Sequence, residues 1–572
     1  MRSNSLVKNF GKVWFAIAVV TSANLGSAAE ESGVTRYVRF TDNMGTHSGI
    51  LETDSIRVLD GDPVFEDGVS PTGRTVELND VVLEIPMNPE RVPNVMGVAG
   101  NSNNPNGSPI AVNHPRWFGK ANTSLAKNGA PVEVPFGATN FNFEGELGLI
   151  IGREGRHIPE SEAMDYLFGV TVGNDWSEND WCGERRGIEE PTHVFCKAGD
   201  TFATLGDAVV TGLDLGDLQI TVRLDGVVAA QGTSADFRDT PARLISKISH
   251  YVTLKRGDII FTGTVAPPQL PGTRRQLWQD DVVEVEIENI GIVSNQLVRV
   301  TRETVSGPEI SAANGTYVRF EHAGGTSFGI LNGEEISELD GDPIGGNASL
   351  SGRTFDVSDV ELGLPIDPAK PGRKILAAAA NYQPTSAPPR QVPHPRYLFK
   401  RSTALSADGG DVERPQEVEM FIPEGELVIV IGRSGRHIPV NEVNDYIFGV
   451  AAGNDWSELS WITAGSGPRP LKYVSKATDT WAGLASRIVR GIDYSDLQIT
   501  TRVNGELLSQ GQSSTMINNP ARLVSYLSRY MTLQPGDLIY TGAIAPEPGM
   551  RQNPEVGDVV EVAVEGLGSM EQ

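Results

Sequence analysis

The stretch Gly173-Asn174-Asp175-Trp176-Ser177 occurs twice in this 572-residue chain, because the same five residues return as Gly453–Ser457. A second stretch, Tyr37–Phe40, returns at the same offset of 280 residues as Tyr317–Phe320. Solenoid repeats are only some 20–50 residues long, so a period of this size indicates a duplicated whole domain. The repetition therefore predicts two tandem copies of one fold.

The N-terminal residues differ in character from the rest of the chain. Residues 1–29 carry basic residues and no acidic residue, and the apolar run Val13–Val20 is followed by the small residues Ser27-Ala28-Ala29. This order is typical of a cleaved secretory signal peptide and predicts a periplasmic or secreted protein. An ordinary N-terminal segment is the alternative. The expected organisation is a signal peptide (1–29), a first domain (30–305), a linker (306–314) and a second domain (315–572).

Composition narrows the function classes. Hydrophobic residues make up 39% and charged residues 21%, with 63 Gly and 36 Pro, which favours a globular chain with many turns. The 47 Lys and Arg against 73 Asp and Glu give a net charge of −26. Because a phosphate backbone repels such a surface, we expect no nucleic-acid partner. After the first apolar run no segment is long enough for a membrane helix, so we expect no membrane span.

The chain has two cysteines, Cys182 and Cys196. Their spacing fits no zinc or redox motif. An oxidising compartment would permit a disulfide, but spacing alone does not show that the two side chains meet. The sequence therefore leaves open whether the two cysteines form a disulfide.

Local patterns favour strands joined by tight turns in each half. Leu218–Leu224 reads as a strand, and Asp225-Gly226 and Asn504-Gly505 read as hairpin turns in equivalent places. Ala163–Phe168 and Pro241–Tyr251 have helical spacing. We therefore expect an α+β, β-rich fold of two domains in a pseudo-twofold arrangement, an internal pseudo-dimer that could assemble into a further homo-oligomer.

Carboxylates in each half form a candidate metal site. Glu144 and Glu146 flank one glycine at the start of an apolar run, and on a strand such residues share a face about 6.6 Å apart. Asp175 ends another apolar run and could add a third oxygen ligand for a hard cation. A solvated strand face is the alternative. The candidate ligands in the two halves are Glu144, Glu146, Asp175, Glu424, Glu426 and Asp455.

Five motifs, in the same order in both halves, resemble the fumarylacetoacetate hydrolase family. They are Glu-x-Glu-Leu, Gly-x-Asn-Asp-x-Ser, a following lysine, a hairpin with a glutamine, and Gly-Asp leading to Thr-Gly. The resemblance covers nearly the whole mature chain. It implies that each half is a mixed β-sandwich roll, and that two Glu and one Asp hold a divalent ion, usually Mg²⁺, with Mn²⁺ or Ca²⁺ as alternatives.

The resemblance also implies a substrate class and further site residues. Family substrates are small oxo acids, including acylpyruvates, β-diketo acids and 2-oxo dioic acids, whose reactions pass through an enolate that a cation stabilises. Lys197 and Lys476 match the family's active-site lysine, whereas solvated loop lysines are the alternative. Four residues match substrate-lining positions but could be ordinary hydrogen bonders at strand ends. These residues are Gln231, Gln510, Thr262 and Thr541.

The chain departs from the family pattern at the general base. Many members carry a His–Glu pair shortly after Asn-Tyr, and neither half has that pair. Each half instead has a later histidine, His114 or His394, which could act as base or could be structural. An arginine common in the family after the metal aspartate is replaced by Asn179 and Leu459.

Three functions are compatible with the sequence. The main expectation is a metal-dependent hydrolase that cleaves a carbon–carbon bond in a diketo or acylpyruvate-like acid. The first alternative is a decarboxylase or isomerase of 2-oxo dioic acids in aromatic catabolism. The second is an exported module that binds metal and oxo acid without turnover.

Overall fold

The structure is a computed structural model of the chain. It describes residues 33–102, 116–182, 194–265, 277–383, 392, 394–463, 472–546 and 553–572. The predicted signal peptide and His114 therefore lie outside the described residues. In the described residues no helix is both long and apolar enough to cross a membrane.

The strands of the first half, with the short strand that follows it, are β1 (Thr35–Asp42), β2 (Gly45–Leu51), β3 (Ser55–Leu59), β4 (Pro71–Glu77), β5 (Val82–Leu83), β6 (Val95–Ala99), β7 (Arg116–Lys120), β8 (Leu125–Lys127), β9 (Val132–Val134), β10 (Phe141–Asn142), β11 (Gly145–Ile151), β12 (Leu167–Asp175), β13 (Ser177–Glu178), β14 (Ala203–Leu205), β15 (Ala208–Thr211), β16 (Gln219–Leu224), β17 (Val227–Thr233), β18 (Ile259–Phe261), β19 (Val282–Ile287), β20 (Gly291–Arg299) and β21 (Val305–Ser306).

The strands of the second half are β22 (Gly315–His322), β23 (Gly325–Asn332), β24 (Glu335–Leu339), β25 (Leu350–Asp356), β26 (Glu361–Leu362), β27 (Ile375–Ala379), β28 (Arg396–Lys400), β29 (Leu405–Ala407), β30 (Phe421–Ile422), β31 (Gly425–Ile431), β32 (Gly435–Arg436), β33 (Ile447–Asp455), β34 (Ser457–Glu458), β35 (Ala482–Leu484), β36 (Arg487–Arg490), β37 (Gln498–Val503), β38 (Glu506–Gln512), β39 (Leu538–Tyr540), β40 (Val560–Val564) and β41 (Gly568–Glu571). The α-helices are α1 (Val194–Lys197), α2 (Pro241–Ser249), α3 (Leu459–Thr463), α4 (Val474–Ala477) and α5 (Pro520–Leu527).

Each half is built on one large sheet and one small sheet. In the first half the large sheet runs β4-β3-β2-β1-β15-β12-β11-β18-β6-β7, and the small sheet runs β17-β16-β19-β20-β9. The second half repeats the large sheet from β25 to β28, and its small sheet β38-β37-β40-β41 repeats the first four strands without a counterpart of β9 in the described residues. The central strand β11 has all seven residues buried, which explains why its sequence is a nearly continuous apolar run. The predicted β-rich tandem fold is confirmed.

The local predictions hold with one difference. Asp225 and Gly226 have φ of 50° and 78°, as a hairpin turn of this kind requires, and Asn504-Gly505 repeats them. Helix α2 begins at Pro241, and the Thr240 side chain caps it by accepting from the amide of Arg243. The segment Ala163–Phe168 differs from its prediction, because a 3₁₀ helix covers Glu160–Tyr166 and β12 already begins at Leu167.

The two halves pack against each other through matched contacts. Asp200 of the first half accepts hydrogen bonds from the amide and hydroxyl of Thr532, at 3.0 and 2.6 Å. Asp479 of the second half accepts from the amide and hydroxyl of Thr253, at 2.8 and 2.6 Å. Aromatic rings fill the space nearby, with Phe195 4.5 Å from Tyr530 between ring centres. The reciprocal contacts give the molecule its pseudo-twofold relation.

Candidate active site

The antiparallel pairing of β11 with β12 brings the predicted metal ligands together. Gly145 lies opposite Asn174, so Glu144 and Glu146 at the start of β11 lie beside Asp175 at the end of β12. One carboxylate oxygen from each of the three residues lies within 4.8 Å of the other two. We call these three residues the first acid cluster. The second acid cluster, in the other half, has the same geometry and consists of Glu424, Glu426 and Asp455.

A glycine amide fixes one glutamate of each acid cluster. Gly263 donates to Glu146 Oε2 at 2.8 Å, and Gly542 donates to Glu426 Oε2 at 2.6 Å. Both glycines have left-handed backbone, with φ of 93° and 98°. The family resemblance placed the threonine before each glycine at a substrate-lining position, with an ordinary hydrogen bonder at a strand end as the alternative. The glycine amide, however, is the group that reaches the acid cluster.

The predicted active-site lysines lie inside the clusters. Lys197 Nζ is 2.6 Å from Glu144 Oε2 and 2.8 Å from Asp175 Oδ2. Lys476 makes the same two contacts with Glu424 and Asp455. Burial alone would lower the pKa of Lys197, but the carboxylates of Asp175, Glu144 and Glu146 raise that pKa above its ordinary value. Each lysine is therefore a buried ammonium group that can donate to an anionic ligand.

A second buried lysine approaches each cluster from β7 or β28. Lys120 Nζ donates to Asp175 Oδ1 and to the backbone carbonyl of Lys197. Lys400 Nζ pairs with Asp455 Oδ1 at 2.5 Å and donates to the carbonyl of Lys476 at 2.8 Å. Neither residue was assigned a role from the sequence. The available signal was a lysine at the end of an aromatic-rich strand in both halves, at an offset of 280 residues.

Burial and mutual repulsion disfavour the ionised form of the carboxyl groups in each cluster. Burial, and then the charges of Asp175 and Glu144, raises the pKa of Glu146 well above its ordinary value. The same causes raise the pKa of Glu426, through Asp455 and Glu424. A bound divalent cation would offset this repulsion.

The donor set fits a hard divalent ion. Each cluster supplies carboxylate oxygens, which Mg²⁺, Mn²⁺ and Ca²⁺ prefer over sulfur ligands. Glu146 is fully buried, and its Oε1 has no hydrogen-bond partner among the described residues. A buried carboxylate oxygen without a donor is costly unless a cation or water meets it. The residues present therefore fit a metal site in each half.

The remaining predicted site residues lie in varied surroundings. Thr262 and Thr541 are fully buried and donate their hydroxyls to the carbonyls of Leu147 and Leu427, at 3.1 and 2.9 Å. Gln231 is exposed, and its amide lies 3.4 Å from the Thr221 hydroxyl.

Gln510 and His394 are also exposed. The His394 ring stacks on Tyr526, with ring centres 5.5 Å apart. Partial desolvation of the ring, with the nearby charges of Arg522 and Arg529, lowers the pKa of His394. A substrate or base role for these residues stays a prediction, as it does for His114.

The two cysteines are bonded, which resolves the question left open by their spacing. Cys182 and Cys196 form a disulfide with Cα atoms 5.4 Å apart. Cys196 lies in α1 directly before Lys197, so the bond ties the lysine's helix to the end of the segment after β13. The second half has no cysteine. The support of the lysine therefore differs between the two clusters.

One cavity in the described residues is lined by no acid-cluster residue. It measures about 620 Å³ and lies in the second half, where Val412, Phe421, Trp456, Val559 and Gln572 are among its lining residues. Trp456 directly follows the cluster residue Asp455, but none of the three cluster residues lines the cavity.

The fold and the paired acid clusters define a protein of two tandem β-rich domains, each with three carboxylates that could hold a divalent ion. The family model described as fumarylacetoacetate hydrolase C-terminal matches residues 91–298 and 372–572. A second model, described as Rv2993c-like N-terminal, matches residues 35–86 and 316–365. The chain therefore belongs to the fumarylacetoacetate hydrolase family, as a tandem two-domain member.

Known relatives cover one or both domains. The homoprotocatechuate catabolism bifunctional isomerase/decarboxylase of Escherichia coli is 27% identical over 459 residues, covering 79% of this chain and 89% of the relative. Protein Rv2993c of Mycobacterium tuberculosis is 31% identical over 267 residues, covering 43% of this chain and 92% of the relative. The crystal structure of 2-hydroxyhepta-2,4-diene-1,7-dioate isomerase from Mycobacterium marinum is 27% identical, with a TM-score of 0.41, and covers 46% of this chain and 98% of that one.

Proposed function

We propose that the protein is a divalent-metal-dependent isomerase or decarboxylase of a 2-oxo dioic acid. The observation that carries the proposal is the pair of acid clusters, each with a buried ammonium group between its carboxylates. The similarity to the Escherichia coli isomerase/decarboxylase, which extends across both domains, favours this chemistry over the carbon–carbon hydrolase that was our main expectation. The missing His–Glu pair also favours it, because isomerisation and decarboxylation need no activated water.

The chemistry follows from the groups in the cluster. Glu144, Glu146 and Asp175 would hold the ion, with Glu424, Glu426 and Asp455 in the same role in the second half. The ion would supply Lewis-acid stabilisation of the negative charge that develops on the 2-oxo group. Mg²⁺ is the proposed native ion, and Mn²⁺ is the practical substitute for binding measurements.

The lysine supplies the second stabilising charge. Lys197 Nζ stays protonated beside three carboxylates, so it can donate to a substrate carboxylate or to the enolate oxygen. Its low exposure strengthens that interaction, because little water competes. The ion and the lysine ammonium group would together give each site two positively charged groups. These charges explain how an acidic protein could bind an acidic substrate.

The first experiment is a substrate screen with product identification. The purified protein with Mg²⁺ or Mn²⁺ is incubated with a panel of 2-oxo dioic acids and acylpyruvates, and products are followed by NMR and by carbon dioxide release. The proposal expects a shifted double bond or released carbon dioxide. Two acids from one cleaved substrate would instead support the hydrolase, and tight oxo-acid binding without turnover would support a binding module.

Variants test whether turnover belongs to the clusters. Glu146→Gln with Glu426→Gln keeps the side-chain volume but removes one metal-ligand charge from each half. We expect turnover to fall at least a hundredfold. Glu52→Gln changes an exposed glutamate and serves as the matched control. Full activity in the doubly substituted protein would contradict the site assignment.

We also propose export through the N-terminal segment. The segment's basic, apolar and small-residue order supports this, and a disulfide is the bond expected of an oxidising compartment. Fractionation of cells expressing the full chain should find the protein in the periplasm or medium, with a mature N-terminus near Glu30. An intact Met1 in the cytosolic fraction would contradict export.

A further inference from the structure

Beside each acid cluster lies a buried lysine that the proposed chemistry does not use. The Lys120 side chain and its partner Asp175 are both fully buried, and Lys120 Nζ also donates to the backbone carbonyl of Lys197. Burying an ammonium group is costly unless it is paired and hydrogen-bonded. Its contacts are with a metal-ligand candidate and with the backbone of the site lysine, so its position has a direct consequence for the site.

The arrangement is repeated in the second half. Lys400 is fully buried and pairs with Asp455 Oδ1 at 2.5 Å. It also donates to the carbonyls of Lys476 and Trp481, at 2.8 and 2.7 Å. These two carbonyls belong to the chain on either side of the turn that follows α4. In both halves the lysine thus joins the aspartate to the backbone of the site lysine, and Lys400 adds the Trp481 carbonyl.

The two oxygens of each aspartate face different cations. Asp175 Oδ1 takes Lys120, whereas Oδ2 lies 2.8 Å from Lys197 on the side of Glu144. Asp455 also divides its oxygens between Lys400 and Lys476, but its Oδ1 meets Lys400 in an ion pair that lacks hydrogen-bond geometry. A carboxylate held by one oxygen cannot rotate about its Cβ–Cγ bond without breaking that contact. The second oxygen is therefore aimed at the centre of the cluster.

We propose that Lys120 and Lys400 are positioning residues, each of which fixes its metal-ligand aspartate through Oδ1 and fixes the backbone of the site lysine through its carbonyl. The inference rests on the proposed metal sites. Partners that orient a metal ligand typically contribute about 10–100-fold to metal affinity. Each lysine should therefore matter to metal binding in its own half and leave the other half unchanged.

The test uses Mn²⁺ alone, without substrate, on the full chain. Lys120→Met and Lys400→Met are prepared separately, and free Mn²⁺ is measured by electron paramagnetic resonance during titration. The parent should bind two ions. Each variant should keep one site at parental affinity and weaken the other at least about tenfold. The unchanged half is the internal reference within each protein.

Lys374→Met is the matched control. Lys374 is equally buried and pairs with Asp537 at 2.9 Å, outside the acid clusters. It should lower the melting temperature and leave both Mn²⁺ sites at parental affinity. If Lys120→Met does not fold, Lys120→Gln keeps an N–H donor in a shorter side chain and is measured instead. An equal loss of Mn²⁺ affinity in Lys374→Met, or unfolding of both Lys120 variants, would make the lysines general supports of the fold and overturn the proposal.

The remaining outcomes separate this inference from the proposed function. Folded Lys120→Met and Lys400→Met proteins with both sites within twofold of parental affinity would overturn the positioning role alone. A parent protein that binds no Mn²⁺ would overturn the metal sites and the positioning role together. A parent that binds Mn²⁺ but turns over no oxo acid would overturn the proposed reaction and leave the lysine result to stand on its own measurement.

Discussion

The amide of Gly263 lies 2.8 Å from Glu146 Oε2, so a backbone group of one strand end holds a side chain of another. A Cβ at Gly263 would lie 2.8 Å from the Asn101 Cβ and 3.0 Å from the Val98 carbonyl oxygen. The left-handed φ of 93° adds strain for any other residue. The position of Glu146 thus depends on the backbone amide of a glycine.

Gly263→Ala should therefore weaken metal binding in the first half. We expect a loss of about 2–4 kcal/mol of stability from strain and crowding together, and a Mn²⁺ affinity at least about fivefold lower at the first site. Urea unfolding and Mn²⁺ titration measure the two effects. Gly226→Ala is the control, since Gly226 has φ of 78° with nothing within 4 Å of a Cβ. Equal Mn²⁺ affinity in both variants would contradict the role of the Gly263 amide.

The sequence repeat predicts most of the fold and both acid clusters, because two copies of one domain place equivalent residues in equivalent positions. The apolar runs around Glu146 and Asp175 predict buried strands, and the structure places them as neighbouring central strands. The roles of Lys120 and of the Gly263 amide were not predictable in the same way. They depend on strands that are distant in sequence and meet only when the roll closes.

One tryptophan hydrogen bond has a different acceptor in the two halves, so the contacts of one half do not fully predict those of the other. In the first half Trp176 Nε1 donates to the Thr204 hydroxyl at 3.2 Å. The equivalent of Thr204 is Gly483, and there Gln572 Oε1 accepts from Trp456 Nε1 at 2.9 Å instead. The acceptor comes from a different strand, so no local pattern predicts it.

The disulfide should stabilise the first half only. A loop with a sequence separation of 14 residues is worth about 3 kcal/mol by the chain-entropy estimate. Reduction, or Cys182→Ser with Cys196→Ser, should lower the melting temperature and weaken the first Mn²⁺ site more than the second. Thiol titration of the denatured protein should find no free thiol before reduction and two afterwards. Two free thiols in protein freshly purified without reductant from an oxidising compartment would contradict the bond.

Metal binding should release protons. Burial raises the pKa of Glu146 and of Glu426 well above the ordinary value in the metal-free protein. At these two glutamates the folded protein therefore binds more protons than the unfolded chain above pH 4.5, so their contribution to the stability of the metal-free fold should fall as the pH rises from 4.5 toward their raised pKa values. Each cation needs the glutamate of its own cluster ionised, so metal affinity should rise with pH.

Calorimetry in buffers of different ionisation enthalpy measures this release. The apparent enthalpy of Mg²⁺ binding should vary with the buffer in the parent protein. Glu146→Gln with Glu426→Gln should remove most of that variation together with the metal affinity. A binding enthalpy that is the same in every buffer would show that both glutamates are already ionised in the metal-free protein.

The reciprocal contacts between the halves should contribute separately to stability. Asp200 is only 7% exposed and accepts from both the amide and the hydroxyl of Thr532, so Asp200→Ala leaves two donors without their acceptor. A lost hydrogen bond to a buried charge costs about 2–3 kcal/mol, and Asp479→Ala should cost a similar amount through Thr253. The two aspartates share no partner, so the double variant should lose nearly the sum of the two losses.

Urea unfolding measures each loss, with Asp67→Ala as the control, because the Asp67 side chain is 94% exposed in its pair with Arg256. A change below about 0.5 kcal/mol in Asp200→Ala, equal to that in Asp67→Ala, would show that the aromatic packing around Phe195 holds the halves together without these contacts.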